Sequence, residues 1–230
     1  MIKTANYCRC YCLMQSVADK LKAKLLKHTY HELPPFKLHA TANDILDKTC
    51  HLFVEEGMIN ASMRKIAEVS GIKLASLQYH FKNSDALIAV LVGREVFYHG
   101  NMLSREFSSA DNNPEAALKA AVKVCMPSTK IGDVESLIYP HIWALATHNE
   151  SAKRGLGIML SSYREVFAYL VAMVNPNLSM AHCNDRAMVI TSAIEGSMLY
   201  LGLDAAPATA PKRLHTAYQD MAMSVALAEA

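Results

Sequence analysis

The stretch that most constrains this chain runs from Ser62 to Phe81, where two short helical patterns are broken by a glycine. Met63, Ile66, Ala67 and Val69 recur at helical spacing and make one side of the first helix apolar. Ser62 precedes that run, where its hydroxyl can accept an orphan backbone N–H. Gly71 follows it and can take the left-handed conformation that ends a helix without Cβ strain. Leu74, Leu77 and Phe81 form a second, equally short apolar stripe. Two helices joined by a tight turn containing Gly make the helix-turn-helix pattern, whose second helix enters the DNA major groove. The same pair also occurs in all-α proteins that never meet DNA, so the flanks carry weight. Upstream, Ile45, Leu46, Leu52 and Phe53 fit an amphipathic helix of about Thr41 to Glu56, ending at Gly57. Downstream, Asn83 is a capping residue and Asp85 places negative charge in the first turn of a further helix.

These elements resemble the tetracycline-repressor (TetR) family of bacterial transcriptional regulators. The matching residues are Ile45-Leu46, Leu52-Phe53-x-Glu55-x-Gly57, Ser62-Met63-Arg64-x-Ile66-Ala67, Ser70-Gly71-Ile72, Leu77-x-Tyr79-His80-Phe81 and Ala86-Leu87. They cover about residues 40 to 95 in order. The resemblance implies an all-α homodimer: a three-helix head that binds DNA, a linker helix, and a C-terminal helical bundle that dimerises and holds an effector. It divides the chain into an N-terminal extension (1–38), a head with linker helix (39–100) and an effector-binding and dimerisation domain (101–230).

Carried over position by position, the resemblance puts Ser62, Lys73, Ala75, Ser76 and Gln78 against DNA, Tyr79 and His80 on phosphates, and Lys82 at the helix exit. The chemistry suits the task. Gln can bond an adenine edge bidentately, Ser and Tyr can donate to phosphate, and lysines add attraction independent of sequence. Leu77 and Phe81 are expected to anchor the recognition helix in the head. Three positions depart from the family: Lys73 stands where a small hydroxyl residue is frequent, Leu74 where a Lys or Gly follows it, and Ser84 where a basic residue is common.

Charge is unevenly placed. Residues 1–100 hold 13 Lys/Arg against 9 Asp/Glu, a net of +4, and residues 101–230 hold 10 against 12, a net of −2. A positive front half suits a head that meets phosphates. The apolar fraction, 52%, is ample for a packed core. No unbroken apolar run approaches the roughly 18–20 residues of a membrane span, and no signal peptide is read at the start.

The first 38 residues are unlike the family's short basic arm. Cys8, Cys10 and Cys12 alternate, and Lys20, Lys22, Lys24 and Lys27 follow on a helix expected from about Gln15 to Thr29. Cys-x-Cys lacks the spacer usual in structural zinc sites, and no second Cys pair occurs, so no metal site is expected. The segment reads as an extra phosphate-contacting arm, a tail, or upstream sequence left untranslated when Met14 is the start.

After a linker helix of about Asp85 to Ser104, the rest reads as helix throughout: Glu115–Cys125, Asp133–His148, Ser151–Val174, Asp185–Leu203 and Lys212–Ala228. In the resemblance the third and fourth of these pair with their copies in a four-helix dimer interface, to which Leu160, Phe167, Val189 and Gly196 would contribute. An effector pocket between helices of the bundle would draw on Tyr139, Trp143, Met159 and Tyr163. Enzyme signatures are missing: the sequence has no phosphate-cradling Gly loop, Gly-x-Ser-x-Gly elbow or His-Glu-x-x-His. No catalytic residue and no cofactor is expected. The sequence therefore reads as a cytoplasmic, nucleoid-associated homodimeric repressor of a palindromic operator on double-stranded DNA, released by a small molecule of unknown identity. The alternative is a helical interaction adaptor that kept the fold and lost specific DNA binding.

Overall fold

Helix signals in the sequence become helices in the computed structural model, which describes residues 38–57, 60–108, 113–126, 134–202 and 210–229. The described residues hold α1 (Ala40–Glu56), α2 (Met63–Val69), α3 (Leu74–His80), α4 (Ser84–Ser108), α5 (Pro114–Cys125), α6 (Val134–Ala146), α7 (Glu150–Val174), α8 (Met180–Gly202) and α9 (Ala210–Leu227). No strand occurs among them. The helix expected over Gln15–Thr29 and the cysteines at 8, 10 and 12 lie outside the described residues.

Two compact units divide the chain. Among the described residues, one takes those of 38–97 with 134–158, and the other those of 98–126 with 159–229. The sequence boundary at 100/101 falls inside α4, and α6 groups with the head helices.

In the unit that contains the head, α1 packs on α2 and on α6, and α2 packs on α3. Ile45, Leu46, Phe53, Ile66, Leu77, Phe81, Leu87 and Leu91 are buried, each worth about 1.5–3 kcal/mol of transfer free energy. Asn149 joins two helix starts: its Oδ1 accepts from Ala152 N (2.9 Å) at the start of α7, and its Nδ2 donates to Asp85 Oδ1 (2.7 Å) in the first turn of α4. Nearby the two helices touch so closely that a Cβ at Gly155 would overlap Cγ1 of Val92 and lie 3.2 Å from its Cβ.

In the other unit α9 packs on α5 and α8. Gln219 Nε2 donates to Lys119 O (2.9 Å), and Arg186 closes the end of α9 by donating to Ala226 O (3.1 Å) and Glu229 O (2.9 Å). A cation is favourable there because the last carbonyls of a helix lack partners.

Two expectations need correction. Helix α8 starts at Met180, five residues before Asp185, because Ser179 caps it: Ser179 Oγ accepts from His182 N (3.3 Å) and its carbonyl accepts from Cys183 N (3.0 Å). Also, α7 is long and apolar enough by length and composition to cross a membrane, although Lys153, Arg154, Arg164 and Glu165 interrupt its apolar sequence. Its stripe of Leu156, Met159, Tyr163, Phe167, Leu170 and Val171 is buried within the protein.

Candidate nucleic-acid interface

The turn between α2 and α3 is built from three backbone signals in the sequence. Ser62 caps α2, its Oγ accepting from Lys65 N at 3.2 Å. Gly71 sits at φ +70°, the left-handed region that favours glycine. Gly71 N donates to Glu68 O (3.0 Å) and Ile72 N to Ala67 O (3.0 Å), the paired bonds of a Schellman stop. Helix α3 can then start at once, with Leu77 N donating to Lys73 O (3.1 Å).

The apolar face of α2 differs from the sequence reading at one place. Ile66 and Ala67 are buried, while Val69 is 37% exposed and Ser70 takes the inward position. At 100° per residue, position 70 follows 66 and 67 by four and three and shares their face.

Helix α3 separates its two tasks by side. Leu77 and Phe81 are fully buried and fix it in the head. Lys73, Ala75, Ser76, Gln78, Tyr79 and Lys82 are exposed, as is Ser62 at the start of α2, and His80 is half-buried. Tyr79 is 87% exposed, a large aromatic surface left in water on a helix whose other side is fully anchored. Its ring stands edge-on to His80, with centroids 5.4 Å apart. Every DNA-contact candidate thus lies on or beside α3, or at the adjoining cap of α2. Arg64, exposed beside Ser62, is a further cation that the sequence reading left out; its place in the motif was the available signal. Lys65 is engaged elsewhere, pairing with Glu56 at 3.4 Å.

The expected effector residues are divided between the units. Tyr139 is buried and Trp143 is 41% exposed on α6, in the unit that contains the head; Met159 and Tyr163 are buried on α7 in the other. Of the expected interface residues, Val189 is 54% exposed beside the equally exposed Met188. Leu160 and Gly196 are half-buried, and a Cβ on Gly196 would meet no atom within 4 Å. Phe167 is wholly buried. The three cysteines among the described residues, Cys50, Cys125 and Cys183, are all buried. Burial pushes Cys50 up to about 12, with Glu95 adding to the shift, and burial also raises Cys125 and Cys183.

Comparison with known proteins agrees with this geometry. Residues 45–91 match the family model for bacterial regulatory proteins of the tetR family. The HTH-type transcriptional regulator BetI of Pseudomonas fluorescens is 19% identical over 186 residues, covering 80% of this chain and 93% of its own. A transcriptional regulator from Rhodococcus sp. Rha1 superposes with a TM-score of 0.70 at 19% identity, over 81% of this chain and 95% of that one. A transcriptional regulator from Saccharomonospora viridis, in complex with choline, superposes with a TM-score of 0.66 at 15% identity, over 78% of this chain and 94% of that one. Residues 45–91 thus carry the helix-turn-helix region of the tetR family of bacterial regulatory proteins, and the all-helical fold around them is that of the solved transcriptional regulators.

Proposed function

We propose that the protein is a cytoplasmic homodimeric repressor that occupies a palindromic operator and leaves it when a small molecule binds the helical body. The observation that carries this reading is the two-sided α3: Leu77 and Phe81 hold it rigidly, and Ser76, Gln78 and Tyr79 stand in solvent with no packing role. Gln78 and Ser76 read base edges and backbone, Tyr79 and His80 hold phosphates, and Lys73 and Lys82 add attraction that salt weakens. Two copies reach half-sites about 34–36 Å apart, the rise of one DNA turn. The exposed Met188 and Val189 face of α8, with the open space at Gly196, is the surface through which copies would pair. The effector acts by binding better to the conformation whose heads no longer fit two successive grooves; each tenfold preference supplies about 1.4 kcal/mol. The solved regulator in complex with choline supports an effector of small-molecule size.

The test is fluorescence anisotropy against DNA from upstream of the protein's own gene, with a scrambled duplex as control, at two salt concentrations. The native protein is expected to prefer its upstream DNA at the higher salt, and the variant with both Tyr79→Ala and His80→Ala to lose that preference. A variant that keeps the preference would remove α3 from recognition. A native protein that binds neither duplex would favour the interaction adaptor.

A further inference from the structure

The head carries a polar junction that the DNA-reading surface does not include. Arg94, on α4, points its guanidinium at α1 and is 17% exposed. Nη1 donates to Asp47 Oδ1 (2.6 Å) and to Asn43 O (3.4 Å), and Nη2 donates to Cys50 Sγ (3.7 Å). Nε also donates to the neighbouring Glu95 Oε1 (3.1 Å), whose side chain is 9% exposed. Positions 43, 47 and 50 fall at i, i+4 and i+7, so one planar fork spans two turns along a single stripe of α1. Leu46 and Phe53 flank that stripe on the buried face of α1, Ile45 lies further round, and α1 in turn packs on α2, which packs on α3.

We propose that Arg94 is a positioning residue for DNA recognition: through α1 it sets the register of the recognition helix against the linker helix α4. This rests on the DNA-binding reading given above. The apolar contacts of Leu87 and Leu91 favour burial but are non-directional, so by themselves they tolerate sliding between helices. Hydrogen bonds from a rigid fork to three successive sites on α1 do not. Stability is a poor explanation for the cluster, because the shielded Arg94–Glu95 pair loses in desolvation much of what it gains in attraction and the pair with the exposed Asp47 is weak in solvent. Burial opposes the charge on Arg94, yet Glu95, Cys50 and Asp47 outweigh it and hold the guanidinium above its ordinary pKa.

The experiment compares the native protein with Arg94→Met, Arg94→Lys and Asp47→Ala. Each is titrated with a duplex enriched by the native protein from a random pool and with its scrambled counterpart, across a salt series, and thermal midpoints are recorded. Arg94→Met is expected to lower the preference for the enriched duplex by about tenfold, the size of one lost base contact. Scrambled-duplex binding and its salt slope should be unchanged, since the Arg94 guanidinium is turned onto α1 and engaged there. Arg94→Lys should fall between. Asp47→Ala, whose native side chain is 62% exposed and removable without unfolding, should shift the preference in the same direction. An unchanged preference in all three variants overturns the proposal and leaves the DNA-binding reading intact. Parallel weakening on both duplexes, tracking a lowered midpoint, overturns it in favour of a purely structural role. A native protein that enriches no duplex overturns the DNA-binding reading, and the proposal with it.

Discussion

Gly71 shows how much one backbone angle decides. At φ +70°, with nothing within 4 Å of a Cβ built on it, an alanine would meet no neighbour and would suffer only from the backbone conformation. Gly71→Ala is therefore expected to cost about 1–2 kcal/mol, the penalty of the left-handed region, measured by urea unfolding. Asn, which tolerates that region, should cost less. A neutral Gly71→Ala would mean that the turn does not need the angle it shows. This residue was legible because the signal is local: a glycine after an apolar helical run means a stop. The same holds for Ser62 and for Asn83, which accepts from Ala86 N at 2.9 Å. Arg94 was not legible. Its partners on α1 lie 44 to 51 residues away, and no periodicity links them.

Helices were legible to within a few residues because the 3.6-residue period is a property of each segment by itself. Helix-to-helix choices were not. The sequence shows Gly155 as a mid-helix glycine, a weakness by propensity, whereas the structure shows it as the position where α7 lies against Val92 of α4. Propensity alone predicts that Gly155→Ala stabilises by about 0.5–1 kcal/mol. The contact predicts the opposite, a loss of about 1–3 kcal/mol from overpacking. Thermal unfolding of Gly155→Ala decides the sign. Adding Val92→Ala should then recover part of the loss, since the clashing atom is gone. If the double variant is simply the sum of the two singles, the two helices are not in contact there. Phe167 on α7 shows the same gap: a helical apolar position in the sequence does not say what it meets, and the structure buries it fully.

For the whole molecule the open question is pairing. A palindromic operator needs a two-fold protein, and the exposed apolar pair Met188 and Val189 on α8 is the surface proposed for it. Light scattering should give twice the chain mass for the native protein and the single chain mass for Val189→Lys, because a charge buried at a two-fold contact meets its own copy. Operator affinity should fall with it, and a Val189→Lys variant that remains dimeric would move the interface off this face. This part of the function left the faintest mark in the sequence, since surface and interface residues share the same alphabet until a partner is present.

The packing of α6 on α1 also bears on how the protein is made. Helices α1 to α3 leave the ribosome before α6 does, but the unit they belong to includes residues 134–158. Synthesis adds about 5–20 residues per second, so for several seconds the nascent head lacks the helix that covers one side of α1. The DNA-reading end is thus the first part of the core to be translated and among the later parts to be completed. A growing chain in that interval exposes apolar surface that the finished protein does not.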